Sequence, residues 1–225
     1  MTQIFAENGN VTPVTVLECG PCPVLQIKKS SSEGYNAVQL GFIDGKKKRA
    51  TKAMLGHFKK ANVEIPKRFV REVRLPDGAE GEKVADQFKP GDMVKVDIFE
   101  TTWKVDVAGI TKGRGFTGMV KRWNKKRGPA GHGSMNVRGP GAIGSDTRLT
   151  HIRPGKTLPG HYGVERVMVK NLEVMKIDKD RNLLFVKGAV AGANGGFIIV
   201  YKTDLVKPVP KVTSSKKKIE PRKKK

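Results

Sequence analysis

Apolar residues recur along this chain in short runs, and several of these runs alternate with polar residues in the manner of half-buried β-strands. Predicted strands cover residues 3–6, 11–18, 35–42, 68–75, 93–99, 104–111, 165–178, 182–187 and 197–202. The pattern of residues 2–28 fits either two strands or three, the third ending before residue 28. Asn8-Gly9 predicts a hairpin turn after the first strand, and residues 179–181 predict a turn before the strand 182–187. The pattern therefore predicts a mainly β protein.

One stretch follows a helical period instead. Apolar residues lie near one face of a predicted helix over residues 46–62, with lysines around the other face; they are Ala50, Ala53, Met54, Phe58 and Ala61. Many short strands, one basic helix and frequent Gly or Pro turns indicate a closed antiparallel barrel. A long loop is inserted into this predicted barrel.

That loop, residues 111–161, is named here the basic segment. It holds 11 Lys or Arg residues, one acid (Asp146), 11 Gly and 4 Pro, and its few apolar residues keep no period. Such a segment lacks the apolar surface that offsets the entropy of ordering it. Because it lies between patterned strands, where long irregular loops are usually functional, we expect it to be ordered by a ligand.

The positive charge is concentrated in separate blocks. Of the net charge of +23, residues 42–62 carry +6, the basic segment +10 and residues 207–225 +8, and the regions between are nearly neutral. Closely spaced phosphates suit such blocks, which favours nucleic acid as the partner. An anionic membrane is the alternative, but the sequence has no basic amphipathic helix of useful length and no apolar run of roughly 18 residues. The first residues lack a signal-peptide pattern, so we expect an intracellular protein.

Cys19-Gly20-Pro21-Cys22 matches the active-site motif of thiol–disulfide enzymes. In those enzymes a helix N-terminus lowers the pKa of the first cysteine, whereas here Pro23 disfavours a helix starting at Cys22. A turn between two strands is the favoured interpretation, and a redox role is the alternative. With no second Cys pair nearby, a zinc site is not expected.

Residues 113–118 match the glycine pattern of dinucleotide-binding loops, Gly-x-Gly-x-x-Gly. Such a site also needs a helix after the glycines and an acid about 20 residues further on. We expect no helix there, and no acid occurs between Asp106 and Asp146. The glycines are therefore interpreted as thinning the backbone for close approach to RNA.

The histidines and tryptophan of the basic segment leave alternatives open. The spacings of His132, His151 and His161 match no metal motif, so contacts to bases or phosphates are favoured over catalysis by a nucleic-acid-modifying enzyme. Trp123 fits two roles equally well, as an anchor of the loop or as a platform for a base.

Long motifs in and after the basic segment match a known family. Residues 111–123 spell Thr-Lys-Gly-Arg-Gly-Phe-Thr-Gly-Met-Val-Lys-Arg-Trp, residues 139–144 spell Gly-Pro-Gly-Ala-Ile-Gly, and residues 183–193 spell Leu-Leu-Phe-Val-Lys-Gly-Ala-Val-Ala-Gly-Ala. In these motifs the sequence resembles the bacterial form of the L-three family of large-subunit ribosomal proteins. The resemblance covers most of residues 1–202.

The resemblance implies a split antiparallel β-barrel of the translation-protein type with a long, largely irregular extension, to which the pattern adds the short basic helix. It implies a structural constituent of the large ribosomal subunit, in the cytoplasm, and not an enzyme. Such a protein binds large-subunit rRNA near its 3′ end, helps nucleate subunit assembly and extends a loop toward the peptidyl-transferase centre. Its partners are that rRNA and neighbouring large-subunit proteins; no membrane, homo-oligomer, cofactor or metal is expected.

Carried over by position, the resemblance assigns the arms and tip of the extension. The outgoing arm holds Lys112, Arg114, Lys121, Arg122 and Trp123, the tip holds His132 and Arg138, and the returning arm holds Lys156. The remaining candidate RNA-binding residues are cations of the charged blocks, namely Lys125, Lys126, Arg127, Arg148, Arg153, Lys46, Lys47, Lys48 and Arg49. The expected division is a barrel body of residues 1–110 and 162–206 with a helical basic insertion at 46–62, the rRNA-threading extension 111–161, and a disordered basic tail 207–225.

Overall fold

The structure is a computed structural model, which describes residues 1–5, 8–144 and 151–203, without the side chains of residues 79 and 80. The strands in this part of the chain are β1 (Thr2–Phe5), β2 (Val11–Glu18), β3 (Cys22–Lys28), β4 (Ala37–Asp44), β5 (Lys67–Arg74), β6 (Met93–Val94), β7 (Lys104–Ile110), β8 (Phe116–Thr117), β9 (Gly160–His161), β10 (Arg166–Asp178), β11 (Leu183–Lys187) and β12 (Ile198–Lys202). The helices are α1 (Ser30–Glu33), α2 (Lys52–Lys60), α3 (Ala79–Asp86) and α4 (Met119–Trp123). Short 3-10 turns span Lys47–Arg49 and Val96–Phe99.

Six antiparallel strands form the larger sheet, in the order β1-β2-β11-β10-β7-β12. Its inner face carries a core of buried aliphatic residues from β2, β7 and β11, covered by the 3-10 turn Val96–Phe99. Leu184, Val105 and Val107 are fully buried there. Burying each such side chain stabilises the fold by about 1.5–3 kcal/mol, so this core holds the sheet together.

The smaller sheet has the order β5-β4-β3-β6 and is also antiparallel. Helix α2 packs on it through Phe58 and Ala61, which meet Leu25 of β3. The helix begins where the Thr51 side chain accepts a hydrogen bond from the Met54 N–H, at 3.3 Å. This N-cap satisfies one of the unpaired N–H groups of the first turn.

Aromatic rings connect the two sheets. Phe197, just before β12, stacks on Phe69 of β5 with ring centroids 4.4 Å apart, and it meets the edge of Phe42 of β4 at 6.4 Å. Stacked and edge-on pairs of this kind add about 0.5–1.5 kcal/mol to the area they bury. The smaller sheet is thereby fixed to the edge of the larger one.

The mainly β fold with antiparallel sheets is confirmed, and so are most of the predicted strands. The strand predicted over 93–99 is wrong beyond β6, because Val96 and Phe99 are buried three residues apart, at the spacing of a helical turn. The predicted helix 46–62 is shorter, and its predicted face is wrong at Ala53 and Met54, which are exposed. Helix α3 was not predicted.

The pairings of the described strands do not show a closed barrel. In the described residues, β1 and β12 lie at opposite edges of the larger sheet, and the strand pairings leave both sheets open. The split-barrel arrangement therefore stays a prediction. No helix among the described residues has the length and apolar character needed to cross a membrane.

Candidate nucleic-acid interface

The two ends of the basic segment run antiparallel to each other as a ribbon that continues from β7 and β10. Backbone N–H groups of Thr111 and Arg114 donate to the carbonyls of Glu165 and Tyr162, both at 2.9 Å, and Tyr162 N–H donates to Gly115 at 3.0 Å. Strands β8 and β9 then pair. A hydrogen-bonded root thus gives the segment a fixed direction.

Two glycines allow the arms of this ribbon to approach closely. A Cβ on Gly163, which has φ of 84°, would collide with the backbone carbonyl of Lys112. A Cβ on Gly113 would lie 2.9 Å from the Val164 side chain, closer than real Cβ contacts. At Gly113, therefore, the thin backbone makes room for the opposite arm of the same protein.

The glycine motif of residues 113–118 is followed by a helix after all, so the expectation of none was wrong. Helix α4 has five residues, and Met119 at its start is buried. Asn124, the residue that follows the helix, has φ of 53° and caps it. The strand before the motif, β7, pairs antiparallel on both sides, whereas a dinucleotide site is built on parallel strands. This geometry does not support a dinucleotide site.

Beyond the ribbon, one backbone carbonyl joins the arms. The Leu158 carbonyl accepts a hydrogen bond from Trp123 Nε1 at 2.9 Å and another from Arg122 Nη1 at 3.1 Å. The Arg122 guanidinium lies 5.0 Å from the centre of the Trp123 ring. The indole, 45% exposed, therefore anchors the outgoing arm to the returning arm. The sequence did not predict its acceptor, because that acceptor is a backbone carbonyl.

The predicted cations of the basic segment face outward. Its exposed candidates are Lys112, Arg114, Lys121, Lys125, Lys126, Arg127, His132, Arg138, Arg153 and Lys156, whereas Arg122 is half-buried. The cluster Lys46, Lys47, Lys48 and Arg49 is exposed next to α2, and Arg148 lies outside the described residues. Within the described ranges, the ion pairs involve Lys28, Lys29, Lys67, Lys179 and Lys187, and none involves a cation of the basic segment.

Aromatic side chains accompany these cations on the ribbon. Phe116 of β8 is 82% exposed and lies opposite His161 of β9. The Arg114 guanidinium lies 5.8 Å from the centre of the Tyr162 ring on the other arm. Tyr162 was missed in the sequence because its neighbours become visible only once the register of the two arms is known.

The histidines form no metal centre with other residues in the structure as described. No group of three or more His, Cys, Asp or Glu side chains there could hold a metal ion. His132, His151 and His161 are all exposed. Exposed imidazoles can stack on bases or donate to phosphates.

Residues 19–21 connect β2 to β3, which begins at Cys22, so the predicted turn between two strands is confirmed. Burial raises the pKa of the Cys19 thiol to about 12, with smaller contributions from Cys22 and Glu18. Burial also raises the pKa of Cys22. A thiol–disulfide enzyme needs a lowered pKa at its attacking cysteine, so these thiols are unsuited to that chemistry.

The fold and the site define a class of protein, namely a mainly β protein with a glycine-rich, strongly basic segment that suits a polyanion. Comparison with known proteins identifies the family. Residues 28–197 match the family model described as Ribosomal protein L3. The chain therefore belongs to the ribosomal protein L3 family.

Curated relatives agree over nearly the whole length. The chain is 46% identical to the large ribosomal subunit protein uL3 of Carboxydothermus hydrogenoformans and 48% identical to those of Pelotomaculum thermopropionicum and Thermotoga petrophila. Each match covers 89% of this chain and 91% of the relative. As a family member, the chain is a structural, non-enzymatic constituent of the large ribosomal subunit in the cytoplasm.

Proposed function

We propose that the basic segment binds large-subunit rRNA and that this binding anchors the protein in the subunit. The observation that carries the proposal is a row of exposed cations, without ion-pair partners in the described structure, on a backbone that leaves the sheets in a fixed direction. Cations not engaged by carboxylates are available to phosphates. Each phosphate they neutralise releases counterions, which strengthens binding.

Side chains of the segment divide between two kinds of contact. Exposed cations such as Lys125, Lys126 and Arg127 contact phosphates, which positions the protein without reading sequence. Phe116 and the exposed histidines offer flat surfaces for unpaired bases. The cluster 46–49 supplies a second phosphate-binding surface beside helix α2.

The resemblance supports a specific address for this segment. In the proposed arrangement, residues 1–110 and 162–206 form a split barrel that docks near the 3′ end of large-subunit rRNA. The segment 111–161 reaches toward the peptidyl-transferase centre, and the tail 207–225 adds charge. The protein acts early in subunit assembly as a single copy, beside neighbouring ribosomal proteins.

A binding competition tests this address. Purified chain is titrated against a transcript of the 3′-terminal domain of large-subunit rRNA and against an unrelated structured RNA of equal length, at the same salt. We expect at least about tenfold tighter binding to the rRNA domain, in line with specific over non-specific recognition. Equal affinities would contradict the proposed address, and no binding to either RNA would contradict RNA binding altogether.

A further inference from the structure

One carbonyl group carries two side-chain hydrogen bonds at the point where the arms of the basic segment separate. Trp123 Nε1 and Arg122 Nη1 both donate to the carbonyl of Leu158, which lies on the returning arm. Both donors come from the last turn of α4. A carbonyl oxygen has two lone pairs, so this acceptor is fully used by the opposite arm.

Gly160, two residues after Leu158, leaves space for the Arg122 guanidinium. A Cβ on Gly160 would collide with Arg122 Nη1, so the absence of a side chain there makes room for the arginine. The same guanidinium lies 5.0 Å from the centre of the Trp123 ring, within the range of a cation–π contact. Arg122 is accordingly half-buried, unlike the exposed Lys121 before it.

The position of this contact is important for the residues beyond it. Strands β8 and β9 have only two residues each, and an isolated two-stranded pair of that length is marginally stable. Chain direction changes at Asn124, and Lys125, Lys126 and Arg127 follow at once. A contact that closes the end of the ribbon therefore sets where these cations point.

We infer that Arg122 and Trp123 are positioning residues, which fasten the two arms at Leu158 and thereby aim the cations 125–127 that follow, rather than rRNA contacts of their own. This assigns the two aromatics of the outgoing arm to different roles. Trp123 uses its N–H inside the protein, whereas the exposed Phe116 is free to meet a base. The inference rests on the proposed function only in taking rRNA as the ligand of these cations.

The variant Trp123→Phe separates the two roles, because phenylalanine keeps a ring for stacking but has no N–H to donate. In the free full-length chain, we expect hydrogen exchange of the Arg114 and Tyr162 amides to become about fivefold faster, as the loss of one hydrogen bond allows. Affinity for the 3′-terminal rRNA domain should fall about two- to tenfold by the same reasoning. Phe116→Leu is the matched control and should leave exchange unchanged.

The variant Arg122→Gln supplies a second, independent readout. If Arg122 served only to neutralise a phosphate, the slope of log affinity against log salt would become shallower by about 0.7–0.9, and exchange in the free chain would not change. The positioning role predicts faster exchange at the ribbon in the free chain. Unchanged exchange in Trp123→Phe or in Arg122→Gln would overturn the inference. Exchange in the free chain decides the matter even if the wild-type chain fails to bind the rRNA, which would refute only the proposed function.

Discussion

The two sheets and the basic segment are built on opposite principles. The sheets bury aliphatic side chains such as Leu184 and Val107, and their lysines are paired with carboxylates in several places. In the described part of the basic segment, Met119 is a rare buried apolar residue and the cations have no ion-pair partners. The difference indicates that stability is located in the sheets, and it underlies our proposal that binding is located in the segment.

The largest effect should come from the core. Replacing the fully buried Leu184 by alanine removes packed methyl groups and leaves a cavity, so the free energy of unfolding should fall by about 2–5 kcal/mol. Met135→Ala, in the basic segment where that side chain is 97% exposed, should change it by less than about 0.5 kcal/mol. Urea unfolding measures both values, and similar losses would contradict the division between sheets and segment.

The next effect concerns charge. Replacing Lys125, Lys126 and Arg127 together by glutamine should weaken rRNA binding and make the salt slope shallower by about 2–3, since three phosphate contacts are lost. The urea midpoint should stay unchanged because all three side chains are exposed. Fluorescence titrations at several salt concentrations give the slope. A lower midpoint with an unchanged slope would assign these cations to folding instead.

The smallest effect belongs to the turn between β2 and β3. The Cys19 thiol has a pKa of about 12 in the folded chain and 9.0 as its ordinary value. The unfolded chain therefore ionises first, and stability is lost as pH rises from 9 toward 12. At pH 10 the loss should be about 1 kcal/mol relative to pH 7.5.

Cys19→Ala is the reference for that measurement, because it lacks the thiol but keeps all lysines that titrate in the same range. Urea unfolding of both proteins at the two pH values gives the difference. Equal pH dependence in the variant and the wild type would show that the thiol is not held neutral by its surroundings.

Sequence patterns predicted the strands wherever alternation followed burial, as in β2, β7 and β11. The pattern misled over residues 93–99, because a 3-10 turn buries Val96 and Phe99 while leaving Ile98 46% exposed. It also misled over α2, where the helix starts later than predicted, after its Thr51 cap. Local periodicity cannot reveal which side a neighbouring sheet will cover.

The candidate interface was predicted unevenly for a related reason. Charge and glycine content marked the basic segment, because these properties are local. The contact of Arg122 and Trp123 with Leu158 could not be predicted, because its acceptor is a backbone carbonyl. That carbonyl lies 36 residues from Arg122 and 35 from Trp123 along the sequence. Side-chain type carries no information about such a partner until the register of the two arms is known.

We propose that the loop between Trp123 and Leu158 supplies most of the electrostatic contact with rRNA. The most direct measurement compares the salt dependence of rRNA binding for the full chain and for a variant in which residues 125–156 are replaced by a short Gly-Ser linker. The deletion removes seven Lys or Arg residues and leaves the Trp123–Leu158 contact in place. We predict a slope shallower by about 5, with an unchanged urea midpoint; equal slopes for the two proteins would contradict the account.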